Sequence, residues 1–234
     1  MLNLPDHMLQ FEVIYSTRRT LGITVNGEGK VIARAPQGIS LQRVDGFISE
    51  HSDWIRKQQR KADERKQILP AKLAYADGET LYFLGNAYRL KVMIGRGGAG
   101  QIQGETVIVT VKAAGDTAAV ERAVMRWYRQ QADIVFEERL ALHFARVRHW
   151  GVMPPPLVIR RMKTRWGSCT SKGKITLSLR LMQAPIALID YVILHELCHL
   201  REMNHGAGFY RLMAEICPNW RALRAALAQT PTNW

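Results

Sequence analysis

Tyr191-Val-Ile-Leu-His-Glu-Leu-Cys-His-Leu200 reads as one buried helix that carries chemistry. His195 and His199 are four residues apart, which on a helix sets both imidazoles on one face, a turn apart. Glu196 lies about 100° round the helix from His195. From there its carboxylate reaches a water held beside the imidazoles without becoming a ligand itself. This is the H-E-x-x-H pattern, in which two histidines bind zinc and the glutamate is the general base. The flanks Tyr191, Val192, Ile193, Leu194, Leu197 and Leu200 are apolar, as a core helix requires. Two imidazoles and a carboxylate are costly to bury there unless they are paired or metal-bound. Plain core histidines beside a salt-bridged glutamate therefore fit less well than a metal site.

A catalytic zinc takes three protein ligands and keeps one position open. His205, Glu215 and Cys198 are the candidates for the third ligand. His205 follows His195 at the spacing of metzincin-type sites, in which a glycine at the eighth motif position stops the helix. That position is Glu202 here, so the helix is expected to run slightly further, with Asn204 and Gly206 supplying a left-handed turn. Glu215 would be the carboxylate from a following helix. Cys198 points about 60° away from His195 and reads better as a small buried apolar residue. The spacing favours His205.

The net charge of +13 calls for an anionic partner, nucleic acid or nucleotide among them. Its distribution is sharper: between Glu138 and Asp190 there are ten Arg or Lys and no acidic residue. That stretch leads into the histidine helix, so a positive field near the site is expected. Three cysteines, Cys169, Cys198 and Cys217, do not form a disulfide framework and favour a reducing, cytoplasmic setting. No apolar run is long enough to span a membrane, and Met1 to Gln10 lack the basic start of a secretory signal.

Along the chain, 11–15 and 22–35 read as strands, the latter a hairpin turning at Asn26-Gly-Glu-Gly29. Residues 40–68 read as a helix capped by Ser40, with Val44, Phe47, Ile48 and Ile55 as its apolar stripe and a basic far end from Arg56 to Lys66. Strands return at 80–84, 88–94 and 106–112, with Arg96-Gly-Gly-Ala-Gly100 as a turn rather than a phosphate loop. From Asp116 to about Arg148 the pattern is helical, with Val120, Val124, Trp127, Ile134 and Val135 apolar. His143 and His149 near its end read as structural. After the stiff Pro154-Pro-Pro156 connector, Leu157 to Met162 is a short strand. Lys174 to Leu181 alternates as a half-buried strand, which at a sheet edge would pair with an extended peptide. Pro185 suits the first turn of the histidine helix. An amphipathic helix containing Phe209, Leu212, Met213 and Ile216 follows and is stopped by Pro218, and 219–229 form a last helix.

Met162-Lys-Thr-Arg-Trp-Gly-Ser-Cys169, the run 174–181, Ile189 to His205 and Cys217-Pro-Asn-Trp220 together resemble the YgjP-like metal-dependent hydrolases, relatives of the WLM and SprT-like zinc proteases. Tyr82-Phe-Leu-Gly85 and Tyr88 extend the likeness into the N-terminal half. The resemblance implies an α+β fold, with a zincin-like metallopeptidase domain preceded by a β-rich N-terminal subdomain. The change from strand to helix places these at 114–234 and 1–113. It also implies Zn²⁺ on His195, His199 and His205, with Glu196 as general base.

Three functions follow. The first is a zinc metallopeptidase acting on a peptide or protein, recruited near nucleic acid by its charge. The second is a nucleotide pyrophosphohydrolase that holds phosphates on the basic surface. The third is a nucleic-acid binder with a structural zinc, which would not need Glu196. Lys163, Arg165, Arg180 and Tyr210 are the candidates for contacting substrate, with Arg201 and Tyr191 as further donors to a developing oxyanion. Trp166 is expected to pack its loop against the helix.

Overall fold

In the computed structural model, which describes residues 9–68, 73–97, 100–230 and 232, the first alternating runs form β1 (Phe11–Ser16), β2 (Gly22–Val25) and β3 (Val31–Pro36). β3 is central, parallel to β1 and antiparallel to β2. The β2–β3 turn falls where Asn26 puts it, because its Oδ1 accepts from the N–H groups of Glu28 and Lys30 at 3.0 and 2.9 Å. Ser40 caps α1 (Leu41–Glu50) by accepting from the Arg43 N–H. The single helix expected over 40–68 is in fact two. His51 closes α1, its N–H on the Ile48 carbonyl and its Nδ1 at 2.9 Å from the Phe47 carbonyl, and α2 (Ser52–Ile68) starts afresh. Val44, Ile48 and Ile55 bury themselves with Val31, Ala33 and Ala35 in a small core. Arg56, Lys57 and Arg60 stay on the solvent side of α2.

This sheet and helix pair make one compact unit, Met1–Pro70, and Ala71–Trp234 make a second. The second opens with β4 (Thr80–Phe83), β5 (Asn86–Ile94), β6 (Gln101–Gln103) and β7 (Thr106–Val111), ordered β4-β5-β7-β6. β6 is an addition to the three strands expected. The glycine turn before it lies partly outside the described residues, as do the first eight residues on which the absence of a secretory signal was read. α3 (Thr117–Val147) starts at Asp116, whose carboxylate accepts from the Ala119 N–H at 2.8 Å. Val120, Val124, Trp127 and Phe136 bury its inner face, whereas Ile134, read as part of that stripe, is 63% exposed.

Leu81, Leu90, Val107 and Val109 share one core with α3 and with the histidine helix, α4 below. The boundary therefore falls at 70/71, not at the 113/114 expected from the change of secondary structure. That change marks where strands give way to helix, not where one core ends. The β4–β5 turn ties the sheet to the start of the histidine helix. The N–H groups of Leu84 and Gly85 donate to the carbonyls of Met182 and Gln183 at 2.8 and 3.3 Å. Gly85 has a φ of 86°, and a Cβ there would lie 2.7 Å from Pro185, so only glycine serves.

β8 (Leu157–Arg160), β9 (Gly167–Cys169) and β10 (Ile175–Ser178) form a third sheet, ordered β8-β10-β9. Here the alternating run 174–181 departs from its reading. β10 is central rather than at the edge, parallel to β8 and antiparallel to β9. Thr176 and Ser178 are buried along with Ile175 and Leu177, and Leu179–Gln183 turn into a 3₁₀ segment. The edge strands are β8 and β9. Three helices complete the unit: α4 (Ile186–Cys198), α5 (Ala207–Ile216) and α6 (Trp220–Gln229). Asp190 of α4 is clamped to α3, with Arg139 donating to both its oxygens at 2.7 and 2.5 Å and His143 Nε2 lying 2.9 Å from Oδ1. His143 is thus one arm of a largely buried polar network around Asp190. The fold is α+β, no disulfide joins the three free cysteines, and no helix among the described residues is long and apolar enough to cross a membrane.

Candidate active site

α4 is apolar on nearly every side, with Leu188, Ile189, Val192, Ile193, Leu194 and Leu197 all buried. A helix in such surroundings points its few polar side chains wherever the core leaves a cavity. It ends at Cys198, with His199 as its cap, so it does not run on past Glu202. No left-handed turn follows either: Asn204 and Gly206 both keep negative φ. Hydrogen bonds close the return instead. The N–H groups of Arg201 and Glu202 reach the Cys198 carbonyl at 3.1 and 2.9 Å. His199 Nδ1 lies 2.9 Å from the Glu202 carbonyl. Donating there, it leaves Nε2 as the free lone pair.

That return brings His205 back onto the helix. Its Nε2 faces the Nε2 of His195 at 3.0 Å, and ligating nitrogens of His195, His199 and His205 all lie within 4.8 Å of one another. Phe209, from the first turn of α5, packs its ring 4.6–4.9 Å from all three imidazoles and is 1% exposed. It is the floor on which the cluster rests. Burial, with the adjacent imidazoles and the Arg224 guanidinium adding to it, depresses His195 to about 3. Burial and His199 also lower His205. Facing nitrogens held neutral are lone pairs aimed at one point, the donor set of a divalent metal.

Glu196 is 4% exposed, and its Oε2 has no hydrogen-bond donor among the described residues. A buried carboxylate oxygen without a donor calls for a ligand or water. Burial pushes its carboxyl up to about 8, with Arg165 pulling the other way. Gly167 of β9 lies directly against it: a Cβ there would fall 2.5 Å from Glu196 Oε1. Beside the pair is a cavity of about 290 Å³, lined by Trp166, Tyr191, Val192, Arg224 and Leu227 together with His195 and Glu196.

The other sequence candidates are dispersed. Glu215 is exposed, with His149 Nε2 at 3.7 Å from its carboxylate. Cys198 is buried against Met213, its thiol pushed up to about 12 by burial. Arg165 is exposed but near enough to act on Glu196. Lys163 is exposed, and its carbonyl accepts from Arg180 at 2.9 Å. Arg180 also reaches Thr232 and lies over the Trp166 ring, so it braces the 163–166 loop. Arg201 donates to the Trp150 carbonyl. Tyr210 stacks on Trp220 and does not line the cavity, whereas Tyr191 does. Trp166, expected only to pack, is also part of the wall. Gly167, Phe209 and Arg224 are the residues whose site positions sequence reasoning missed.

An α+β domain that gathers two histidines and a glutamate from a buried helix, and a third histidine from the turn after it, has the make-up of a zincin-like metallopeptidase. The chain belongs to the YgjP-like family: the profile of the YgjP-like metallopeptidase domain matches residues 19–230. No curated protein matches the chain. Among solved structures, the metallopeptidase zymogen of Pyrococcus abyssi abylysin is similar at 22% identity over 39% of this chain and 90% of that one, with a TM-score of 0.36. That likeness is too slight to transfer detail.

Proposed function

We propose that this chain is a zinc-dependent peptidase in which His195, His199 and His205 hold the metal and Glu196 is the general base. The observation that carries the reading is the pairing of a three-nitrogen cluster with a buried carboxylate whose Oε2 has no donor among the described residues. His195, His199 and His205 would hold the zinc, which would supply Lewis acidity to polarise a carbonyl and acidify a water near neutral pH. Glu196 then takes the proton of the attacking water on its carboxylate and delivers it to the nitrogen of the departing amine. Phe209 keeps the three imidazoles in one arrangement, and the Glu202 carbonyl orients His199. β9 pairs on one side only, with β10, so its other edge can receive an extended peptide beside Glu196.

The nucleotide reading has less support. The cavity walls are largely apolar, and among the described residues the three histidines are the one group of ligating side chains close enough to hold a metal. A carboxylate set for magnesium is not among them. Glu196→Gln should abolish cleavage of an unfolded protein while retaining stoichiometric metal by mass spectrometry. Undiminished cleavage in that variant would remove Glu196 as the base. Adding DNA to the same assay tests whether the basic charge recruits it.

A further inference from the structure

Most arginines around this site are already spoken for. Arg139 is bound to Asp190, Arg146 to the Ile216 carbonyl, Arg180 to the Lys163 carbonyl and Thr232, and Arg201 to the Trp150 carbonyl. Arg221, on α6, lies over the Trp220 ring at 4.6 Å. Arg224 differs. It is exposed, it forms part of the cavity lining, and among the described residues no carboxylate or carbonyl accepts from it. Leu227 and Ala228, three and four residues on, share its face of α6 and the same cavity wall. Val192 and the Trp166 ring extend that apolar wall to Glu196 and His195.

A cavity of about 290 Å³ is at the small end for a ligand site and suits one side chain or chain end. Its chemistry, beside His195 and Glu196, is an apolar wall with one guanidinium that has no acceptor among the described residues. A guanidinium has a planar fork that matches a carboxylate in bidentate fashion.

We propose that Arg224 is the specificity-determining residue of this site, binding a substrate carboxylate next to the scissile bond while Val192, Leu227 and Trp166 hold the adjoining aliphatic carbons. The inference rests on the peptidase reading above and names its substrate class: chains with a Glu or Asp side chain, or a free C-terminus, at the position that enters the cavity. A guanidinium–carboxylate contact of this kind is expected to favour the carboxylate peptide about 10- to 100-fold in kcat/KM.

The test uses the full-length, zinc-loaded protein. Cleavage sites are mapped on an unfolded protein, and peptides are then made around one site with Glu, Gln, Leu or Lys on either side of the cut. Each is prepared as C-terminal acid and amide, which separates a side-chain carboxylate from a chain end. Wild type should prefer the carboxylate peptides. Arg224→Gln should flatten the preference, and Arg224→Glu should turn it toward Lys. Arg221→Gln removes the same charge from the same helix outside the cavity and should keep the wild-type ratio. Cleavage that needs Glu196 but shows no carboxylate preference, or an Arg224→Gln variant with its ratios intact, overturns the inference and leaves the peptidase reading standing. If no peptide is cleaved and Glu196→Gln binds none by calorimetry, both fall. Saturable binding of a nucleoside triphosphate or of DNA in place of peptide would redirect the cation to phosphate.

Discussion

Replacing Gly167 by alanine tests how closely turnover depends on the placement of one carboxylate. Gly167 has no positive φ and lies in an ordinary strand, so alanine brings no backbone strain of its own. Its Cβ, however, would fall 2.5 Å from Glu196 Oε1, 2.9 Å from Cγ and 3.0 Å from Cδ. Ordinary contact begins near 3.4 Å, so the oxygen must withdraw by about 0.9 Å. Because Cγ is also encroached upon and the side chain is 4% exposed, a simple rotation does not relieve the overlap. A misplacement of about 1 Å at a reacting group costs about 10²-fold, or about 2.7 kcal/mol of transition-state stabilisation. The expected result is thus kcat/KM down about 100-fold with metal content unchanged, since none of the three atoms nearest the new Cβ belongs to an imidazole.

Steady-state kinetics on a mapped peptide, metal analysis and a thermal melt separate the possibilities. Glu196→Asp supplies a second arm. It draws the carboxylate back by about one methylene, so adding Gly167→Ala to it should cost far less than adding it to wild type, a coupling read from the double-mutant cycle. Activity in Gly167→Ala within about threefold of wild type would refute the reasoning. So would a loss of activity that tracks loss of metal, which would trace the effect to the histidines instead.

Two further perturbations probe the support of the site. Asp190→Asn removes one partner of a largely buried network with Arg139 and His143 and should cost roughly 3 kcal/mol by urea denaturation at pH 7. Burial raises the Asp190 carboxyl, but the hydrogen bonds from His143 and Arg139 outweigh it and hold the group below its ordinary value. The contribution is therefore present above the unfolded value near 3.9 and is lost as pH falls through the lower folded value. A gap between wild type and variant that persists undiminished to pH 2 would refute that account. Chelation should lower Tm by about 5–10 °C and zinc restore it. Saturation at about 100 Kd supplies about 2.7 kcal/mol, and a chain of this size moves about 2–4 °C per kcal/mol. A metal that binds stoichiometrically without moving Tm would mean that the imidazoles are not assembled by folding.

Local signals in the sequence were read well where the physics is local. Ser40 and Asp116 start helices because their side chains satisfy the first free N–H groups, and Asn26 makes its own turn. His51 ends α1 without a glycine or proline to announce it, which is why 40–68 looked continuous. The run 174–181 misled for a different reason. Strict alternation reports a half-buried strand only if the polar residues meet water. Here Ser178 is 0% exposed, and its N–H and hydroxyl donate to the carbonyls of Trp166 and Met162 at 2.8 and 3.4 Å. Whether a strand is central or at an edge depends on which distant segments pair with it, and β8 and β9 are not visible in β10 itself. The domain boundary has the same cause, because nothing in β4–β7 states that their core partner is α3.

At the site, the grouping of the histidines with Glu196 was legible because one helix and the turn after it carry all four, although the path that returns His205 was not. Gly167 and Arg224 come from about thirty residues before and after Glu196, where no spacing rule reaches. Arg224 nonetheless left a trace that could have found it. Trp220 to Gln229 holds two arginines and no acidic residue, and none follows Glu215 to the end of the chain. An exposed helix usually pairs such cations at i±3 or i±4, and α6 has nothing to pair them with. Arg221 settles on Trp220. Arg224, one turn from Leu227 and Ala228 on the cavity wall, is left to face the site. An anion for it must come from outside the helix, and a substrate entering beside Glu196 is the group the cavity admits.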